Sequence, residues 1–331
     1  EWIGSVDLNS LYPSVIRAMN MSTETLVGQI RLDRTNKYIE DQIEGVDAKA
    51  VGFADAWADR FDTMEFELVN NKDIAEEMIV DFEDGNSIKL TGAQIYDLIH
   101  LSDNPWGLTA NGTIFRYDEK GIIPGLLERW YAERKVLQKQ KREAVNEKEV
   151  MFWDKRQLIK KINLNSLYGT LLNVGSRFFD IRMGQSTTLG GRTIARHMAA
   201  KLNESLTGEY DHKGDTIIYG DTDSAYFTAF PIFKEEIDKG ELEWNKDKAI
   251  ELYDAVCEQV NESFPQFMHK LHGIDIDHGK IIAAGREAVA ERGLFIKKKR
   301  YGLLVYDMEG ERVDKDGKPG KLKAMGLDLK R

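Results

Sequence analysis

The stretch Thr216-Ile217-Ile218-Tyr219-Gly220-Asp221-Thr222-Asp223-Ser224-Ala225-Tyr226-Phe227 constrains the fold more than any other, because it sets two carboxylates into an apolar, strand-forming background. β-Branched and aromatic residues on both sides predict strands at 216–219 and 225–228, with 220–224 as the tight turn between them. Asp, Thr and Ser are also good turn residues in their own right, since their side chains hydrogen-bond nearby backbone. A second acidic strand end argues for more than a turn. In Trp2-Ile3-Gly4-Ser5-Val6-Asp7-Leu8 a short apolar run again closes on an Asp. If the two strand ends are neighbours in one sheet, three carboxylates converge and cations must neutralise them. Hard oxygen ligands of this kind suit magnesium or manganese.

The 331 residues can bury one large core or two smaller ones. A formal charge of -10 argues mildly against a nucleic-acid partner, an objection weakened by the local cluster Lys297-Lys298-Lys299-Arg300. Cys257 is the only cysteine, which excludes an intrachain disulfide and points to a reducing compartment. No apolar run is long enough to cross a bilayer, so no membrane partner is expected. The chain opens on Glu1 rather than Met, just before the first carboxylate-bearing strand, and reads as an excised or split portion of something longer.

Along the chain, Pro13 disfavours a helical Tyr12, so a helix is expected only over 15–19. From residue 31 to about 104 the chain turns acidic, with Asp55, Asp59, Asp62, Glu65 and Glu67 among others. That segment reads as a small α+β insertion containing a hairpin at Asp84-Gly85-Asn86 and a helix capped by Thr91 and Gln94. A second hairpin is expected to pair 112–117 with 121–124. Two long helices follow, over 125–145 and 150–168, with their turn near 146–149. Reflection about that turn sets Arg134 opposite Lys161, each about 20 Å from the tip at 1.5 Å per residue. Lys161, Asn165 and Tyr168 share one face of the second helix, although an ordinary solvated face would look the same. Further helices are expected over 187–210 and through Ile250, Tyr253, Val256, Cys257, Val260, Phe264 and Phe267, the latter facing the core. Strands are expected at 280–284, 293–297 and 301–306. His269, His272 and His278 have no cysteine or carboxylate motif beside them and read as surface residues rather than a zinc site.

Three motifs in order carry a resemblance. Asp7-Leu8-Asn9-Ser10-Leu11-Tyr12-Pro13-Ser14 resembles motif A of the family B DNA polymerases, Lys161-Ile162-Asn163-Leu164-Asn165-Ser166-Leu167-Tyr168-Gly169 motif B, and Tyr219-Gly220-Asp221-Thr222-Asp223-Ser224 motif C. Any one alone would be weak. Lys298-Lys299-Arg300-Tyr301, Asp307-Met308-Glu309-Gly310 and Lys321-Leu322-Lys323-Ala324-Met325-Gly326-Leu327 are similar to the replicative polymerases of T-even-like bacteriophages. The resemblance implies an α+β fold. A polymerase palm, an antiparallel sheet backed by helices, would take 1–30, 105–124 and 170–331, with a helical-hairpin fingers subdomain at 125–169. The acidic insertion at 31–104 departs from the usual connection and is reminiscent of protein-primed relatives. The family's exonuclease, N-terminal domain and thumb would lie outside this chain, in cis or on a separate one.

By the same resemblance the chain would carry out template-directed DNA synthesis with two Mg2+ ions, replaceable by Mn2+. Nucleotidyl transfer uses such ions about 3.5–4 Å apart. Asp7 and Asp223 would bridge the ions, with the Leu8 carbonyl as a further ligand and Asp221 as an outer or conditional one. Ser10, Leu11, Tyr12, Arg134, Lys161 and Asn165 would hold the dNTP, Tyr12 lying beneath its deoxyribose. Gln138 stands where many family members place a lysine one turn after Arg134. Tyr168, Gly169, Thr222, Lys299, Arg300 and Tyr301 would meet the nascent base pair or the primer-template DNA, and Glu287 resembles a family acidic residue near the site. A sliding clamp is an expected partner, and the cytoplasm of an infected host cell the expected location. Two alternatives stay open: a non-catalytic DNA-binding or assembly portion of a split polymerase, and a metal-dependent nuclease, which would share the carboxylates without needing Tyr12 and the fingers.

Overall fold

The computed structural model describes residues 2–30, 77–314 and 319–327; Asp55, Asp59, Asp62, Glu65 and Glu67 lie outside them. The chain opens with β1 (Ile3–Leu8), α1 (Leu11–Ala18) and β2 (Leu26–Ile30). β3 (Glu77–Phe82) and β4 (Ser87–Thr91) lead to α2 (Gly92–Tyr96) and a π-helical turn (Asp97–Leu101). β5 (Trp106–Leu108) and β6 (Thr113–Arg116) precede the long helices α3 (Ile122–Glu143), α4 (Glu147–Leu171) and α5 (Ile181–Thr207). β7 (Ile217–Asp221) and β8 (Ser224–Phe227) are followed by α6 (Phe230–Asp238), α7 (Lys246–His272) and α8 (Ile276–Gly279). β9 (Ala284–Lys297), β10 (Arg300–Met308), β11 (Glu311–Arg312) and β12 (Lys321–Met325) complete the described chain. Helices and antiparallel sheets make this an α+β protein, as the sequence predicts.

Two compact units are present, the first made of residues 1–9, 191–264 and 282–331. Its antiparallel sheet runs β11-β10-β9-β1-β8-β7, with β12 also pairing with β10. Strand alternation sorts β1 into two faces. Gly4, Val6 and Leu8 point to the helical side. A Cβ on Gly4 would lie 2.7 Å from Tyr253 and 2.9 Å from Phe227, so α7 can settle on β1 only over a glycine. Tyr253 Oη then donates to the Trp2 carbonyl at 2.6 Å. Ile194, Met198 and Leu202 of α5, with Val260 and Phe264 of α7, are fully buried at helical spacing. Ser5 and Asp7 lie opposite Tyr226 and Ser224 and share the other face with them.

The second unit takes residues 10–190 and 265–281. Its sheet runs β4-β3-β2-β6-β5 over a core of Ile30, Val80, Ile95, Ile99, Leu108 and Ile114. The hairpin expected at 84–86 is present, with Asp84 Oδ1 accepting from the Asn86 amide at 2.9 Å. The Thr91/Gln94 capping box is present too. β3 pairs with β2, so 26–30 and 77–91 build one sheet.

Four expectations are corrected here. The first helix begins at Leu11, not Val15: Pro13 sits in the first turn, where its missing N–H loses no intrahelical bond. The second hairpin joins β5 to β6, while 121–124 opens α3. There the Asn20 side chain takes the backbone groups a hairpin would have used, accepting from the Gly121 amide and donating to the Arg116 and Glu119 carbonyls. His272 is buried rather than exposed, its Nδ1 2.8 Å from the Leu108 carbonyl. The strand expected at 280–284 starts only at Ala284, as β9, after a turn and irregular chain over 280–283.

Candidate active site: carboxylates at the strand ends

In the first unit Asp221, Ser224, Asp7 and Gly285 stand in one row across β7, β8, β1 and β9. Asp7 and Asp221 therefore share a face and flank Ser224, roughly 9–10 Å apart across two strand spacings. Asp223 lies in the turn beside that row. Its carbonyl accepts the Leu8 amide at 2.7 Å, which stitches the β7–β8 turn to the end of β1. Inside the turn, the Asp223 amide donates to the Asp221 carbonyl at 2.6 Å and Ser224 Oγ to the same carbonyl at 3.2 Å. All three carboxylates are half-buried. Among the described residues no group of three or more His, Cys, Asp or Glu side chains is arranged to hold a metal ion.

Backbone strain falls on several motif residues, a signal that composition and periodicity do not carry. Non-glycine residues with positive φ include Ser10 (50°), Thr222 (48°) and Lys299 (61°). Each falls in a motif singled out above, and such conformations, disfavoured for L-residues, cluster at functional sites.

Behind the turn, Tyr219, Tyr226, Phe295 and Tyr301 pack ring on ring, with Tyr226 Oη 2.8 Å from Tyr301 Oη. Burial pushes the Tyr226 phenol well above its ordinary value, helped by the Tyr301 hydrogen bond and the Glu287 charge. Tyr301, expected to touch DNA, is only 5% exposed, so its ring belongs to this cluster. Lys299 and Arg300 are exposed at the β9–β10 turn, and the Lys299 amide donates to Tyr219 Oη at 2.8 Å. Glu287 is engaged by Ser5 Oγ at 3.2 Å and Lys323 Nζ at 2.6 Å.

The second unit holds the remaining expected residues. α3 and α4 form an antiparallel hairpin tied by Lys141–Asp154 at 2.6 Å and by Glu133–Lys160. Arg134 Nε donates to Gln157 Oε1 at 3.3 Å, one helical turn before Lys161. Lys161 and Asn165 are exposed on α4. The Tyr12 and Tyr168 rings meet at 4.7 Å, tilted 42°. Burial, then the neighbouring Tyr12, raises the Tyr168 phenol. Gly169 is exposed, and a Cβ there would meet no atom within 4 Å. Ser10 holds the N-cap position of α1 without a side-chain cap bond, and the Leu11 and Tyr12 amides are first-turn donors without a helical acceptor. Residues 122–171 carry eleven Lys or Arg against six Asp or Glu, on a chain whose net charge is -10.

The profile of DNA polymerase family B matches residues 1–331, and the chain belongs to that family. It is 26% identical to the DNA-directed DNA polymerase of Enterobacteria phage T4 over 99% of this chain and 36% of the phage protein. The enzyme of Escherichia phage RB69 is 27% identical over 100% of this chain and 36% of its own. A third relative, the DNA polymerase alpha catalytic subunit of mouse, is 31% identical over 57% of this chain. The chain thus spans 36% of the length of the two phage relatives. No helix among the described residues is long and apolar enough to cross a membrane.

Proposed function

We propose that this chain carries the nucleotidyl-transfer centre of a template-directed DNA polymerase, extending a primer 3′-hydroxyl with dNTPs. The observation that carries the reading is the junction of the first and third motifs. Asp7 stands in register with Ser224, and the Leu8 amide is bonded to the Asp223 carbonyl, so two carboxylate-bearing segments meet at one end of the sheet.

The donor set fits magnesium or manganese. Asp7 and Asp223 would supply hard oxygens from adjacent segments, with the Leu8 carbonyl as a further ligand. Mg2+ is commonly held by one or two carboxylates together with substrate phosphates rather than by an all-protein cage. When bound, a pair of such ions lowers the pKa of the primer hydroxyl and stabilises the leaving phosphate oxygens. Asp221, two strand spacings from Asp7, suits an outer role.

In the reaction the 3′-oxygen forms a bond to the α-phosphorus, the bond to the β-phosphate oxygen breaks, pyrophosphate leaves and the hydroxyl proton passes to solvent. Arg134 and Lys161 would hold the triphosphate through charge-assisted hydrogen bonds and Asn165 through a neutral one. The Leu11 and Tyr12 amides, at a helix N-terminus, suit the same anion. Tyr12, braced by Tyr168, would exclude a 2′-hydroxyl. Tyr168, Gly169 and Thr222 would border the nascent pair, and Lys299 and Arg300 would meet the primer-template backbone without reading sequence. A clamp or further polypeptide, in cis or separate, would complete the grip on the duplex.

Primer extension by the purified chain with Mg2+ tests the reading. Asp7→Ala and Asp223→Ala should each abolish incorporation while keeping wild-type circular dichroism; near-normal extension by either variant would refute it.

A further inference from the structure

Lys323 lies in the 321–327 segment, to which the proposed chemistry assigns nothing. On β12 it is the one half-buried residue, while Lys321, Leu322, Ala324 and Met325 are exposed. Its Nζ donates to Glu287 Oε1 at 2.6 Å, and Ser5 Oγ donates to Glu287 Oε2 at 3.2 Å. Glu287 is the extra residue of a β-bulge, because Val6 pairs with Arg286 and Ser5 with Ala288. From the β10 side, the Glu309 amide donates to the Glu287 carbonyl at 2.8 Å. Ser5 shares the face of Asp7, two residues or about 7 Å along the strand.

We propose that Lys323, Glu287 and Ser5 form a positioning relay for Asp7, an inference that rests on the nucleotidyl-transfer reading. Lys323 cancels the Glu287 charge, so Glu287 does not draw a cation away from Asp7 and Asp223. The pair also holds the bulge, and bulges beside active sites re-aim side chains. Here the bulge sets the register of β1 against β9 at the point where Asp7 faces Gly285. With side chains 21% and 28% exposed, the ion pair itself adds little to folding stability, so its effect falls on position and charge.

The experiment compares wild type with Lys323→Met, Lys323→Arg, Glu287→Gln and the Lys323→Met/Glu287→Gln double variant. Mn2+ binding is read by electron paramagnetic resonance without substrates, and single-nucleotide incorporation is separated into kcat and KM. Lys323→Met frees Glu287 to compete for the ion, so Mn2+ should bind at least about threefold tighter while kcat falls about tenfold, with an unchanged melting temperature. A residue that only supports the fold would not move the two in opposite directions. Lys323→Arg should behave as wild type, and the double variant should return Mn2+ affinity to the wild-type value. Unchanged Mn2+ affinity in Lys323→Met, no measurable Mn2+ binding in any variant, or loss of both quantities in step with unfolding would overturn the relay. An inactive wild-type chain would count against the proposed reaction instead, and the Mn2+ comparison would still decide the relay.

Discussion

Arg286→Met probes how the strand facing Asp7 is held. Arg286 lies opposite Val6, one residue from the Asp7–Gly285 pair, and its side chain is only 5% exposed. Its guanidinium donates to Asp307 at 2.7 Å and to Asp254 at 2.5 Å. Asp307 is equally buried, and after loss of the guanidinium it would keep the Gly310 amide at 3.2 Å. Removing one partner of a buried ion pair costs roughly 3–5 kcal/mol, chiefly through the charge left behind. Asp254 is half exposed and regains water, so Asp254→Asn should cost less than about 1 kcal/mol. Arg286→Met/Asp307→Leu removes both charges and should recover most of the single-variant loss, giving a coupling of roughly 2 kcal/mol or more. Urea unfolding followed by circular dichroism measures wild type, Asp254→Asn, the single variants Arg286→Met and Asp307→Leu, and the double variant. The reasoning fails if Arg286→Met lies within 1 kcal/mol of wild type, or if the double variant is as unstable as the two single losses added together.

Acid should act through His197, whose ring sits between Tyr210 Oη at 2.7 Å and Ser263 Oγ at 2.9 Å. Burial, and secondarily Lys201, pushes it down to about 3. Its neutral form therefore stabilises the fold fully above the unfolded value near 6.5, and that stability drains as pH falls, at up to about 1.4 kcal/mol per pH unit. Between pH 6.5 and 4.5, above the ordinary carboxylate range, His197→Gln should flatten this slope; an identical slope in the variant would exclude His197 as its source. Tyr12→Ala should raise ribonucleotide relative to deoxyribonucleotide incorporation about tenfold or more, since steric exclusion acts on the difference between substrates; unchanged selectivity would make Tyr12 a packing residue. Primer-template binding, followed by anisotropy across a salt series, should be weak and steeply salt-dependent, because 46 basic residues face 56 acidic ones. Tight binding at physiological salt with long products from single encounters would contradict that.

The carboxylate-bearing strand ends of this protein were legible in its sequence. Asp7 and the Asp221-Thr222-Asp223 turn announce themselves because charge at an apolar strand end is costly and rare, and strand propensity placed β1, β7 and β8 to within a residue or two. The α3–α4 hairpin followed from helical periodicity and a polar turn capped by Asn146. Tertiary structure alone decided the rest. Pro13 entered a helix because the first turn needs no N–H from it, and the groups of 116–121 were taken by the distant Asn20 side chain. Tyr301, expected from the resemblance to meet DNA, has its ring packed among Tyr219, Tyr226 and Phe295. The bulge at Glu287 and its bond to Lys323, 36 residues onward, arise from strand register, and register depends on which strands meet rather than on what either segment prefers by itself.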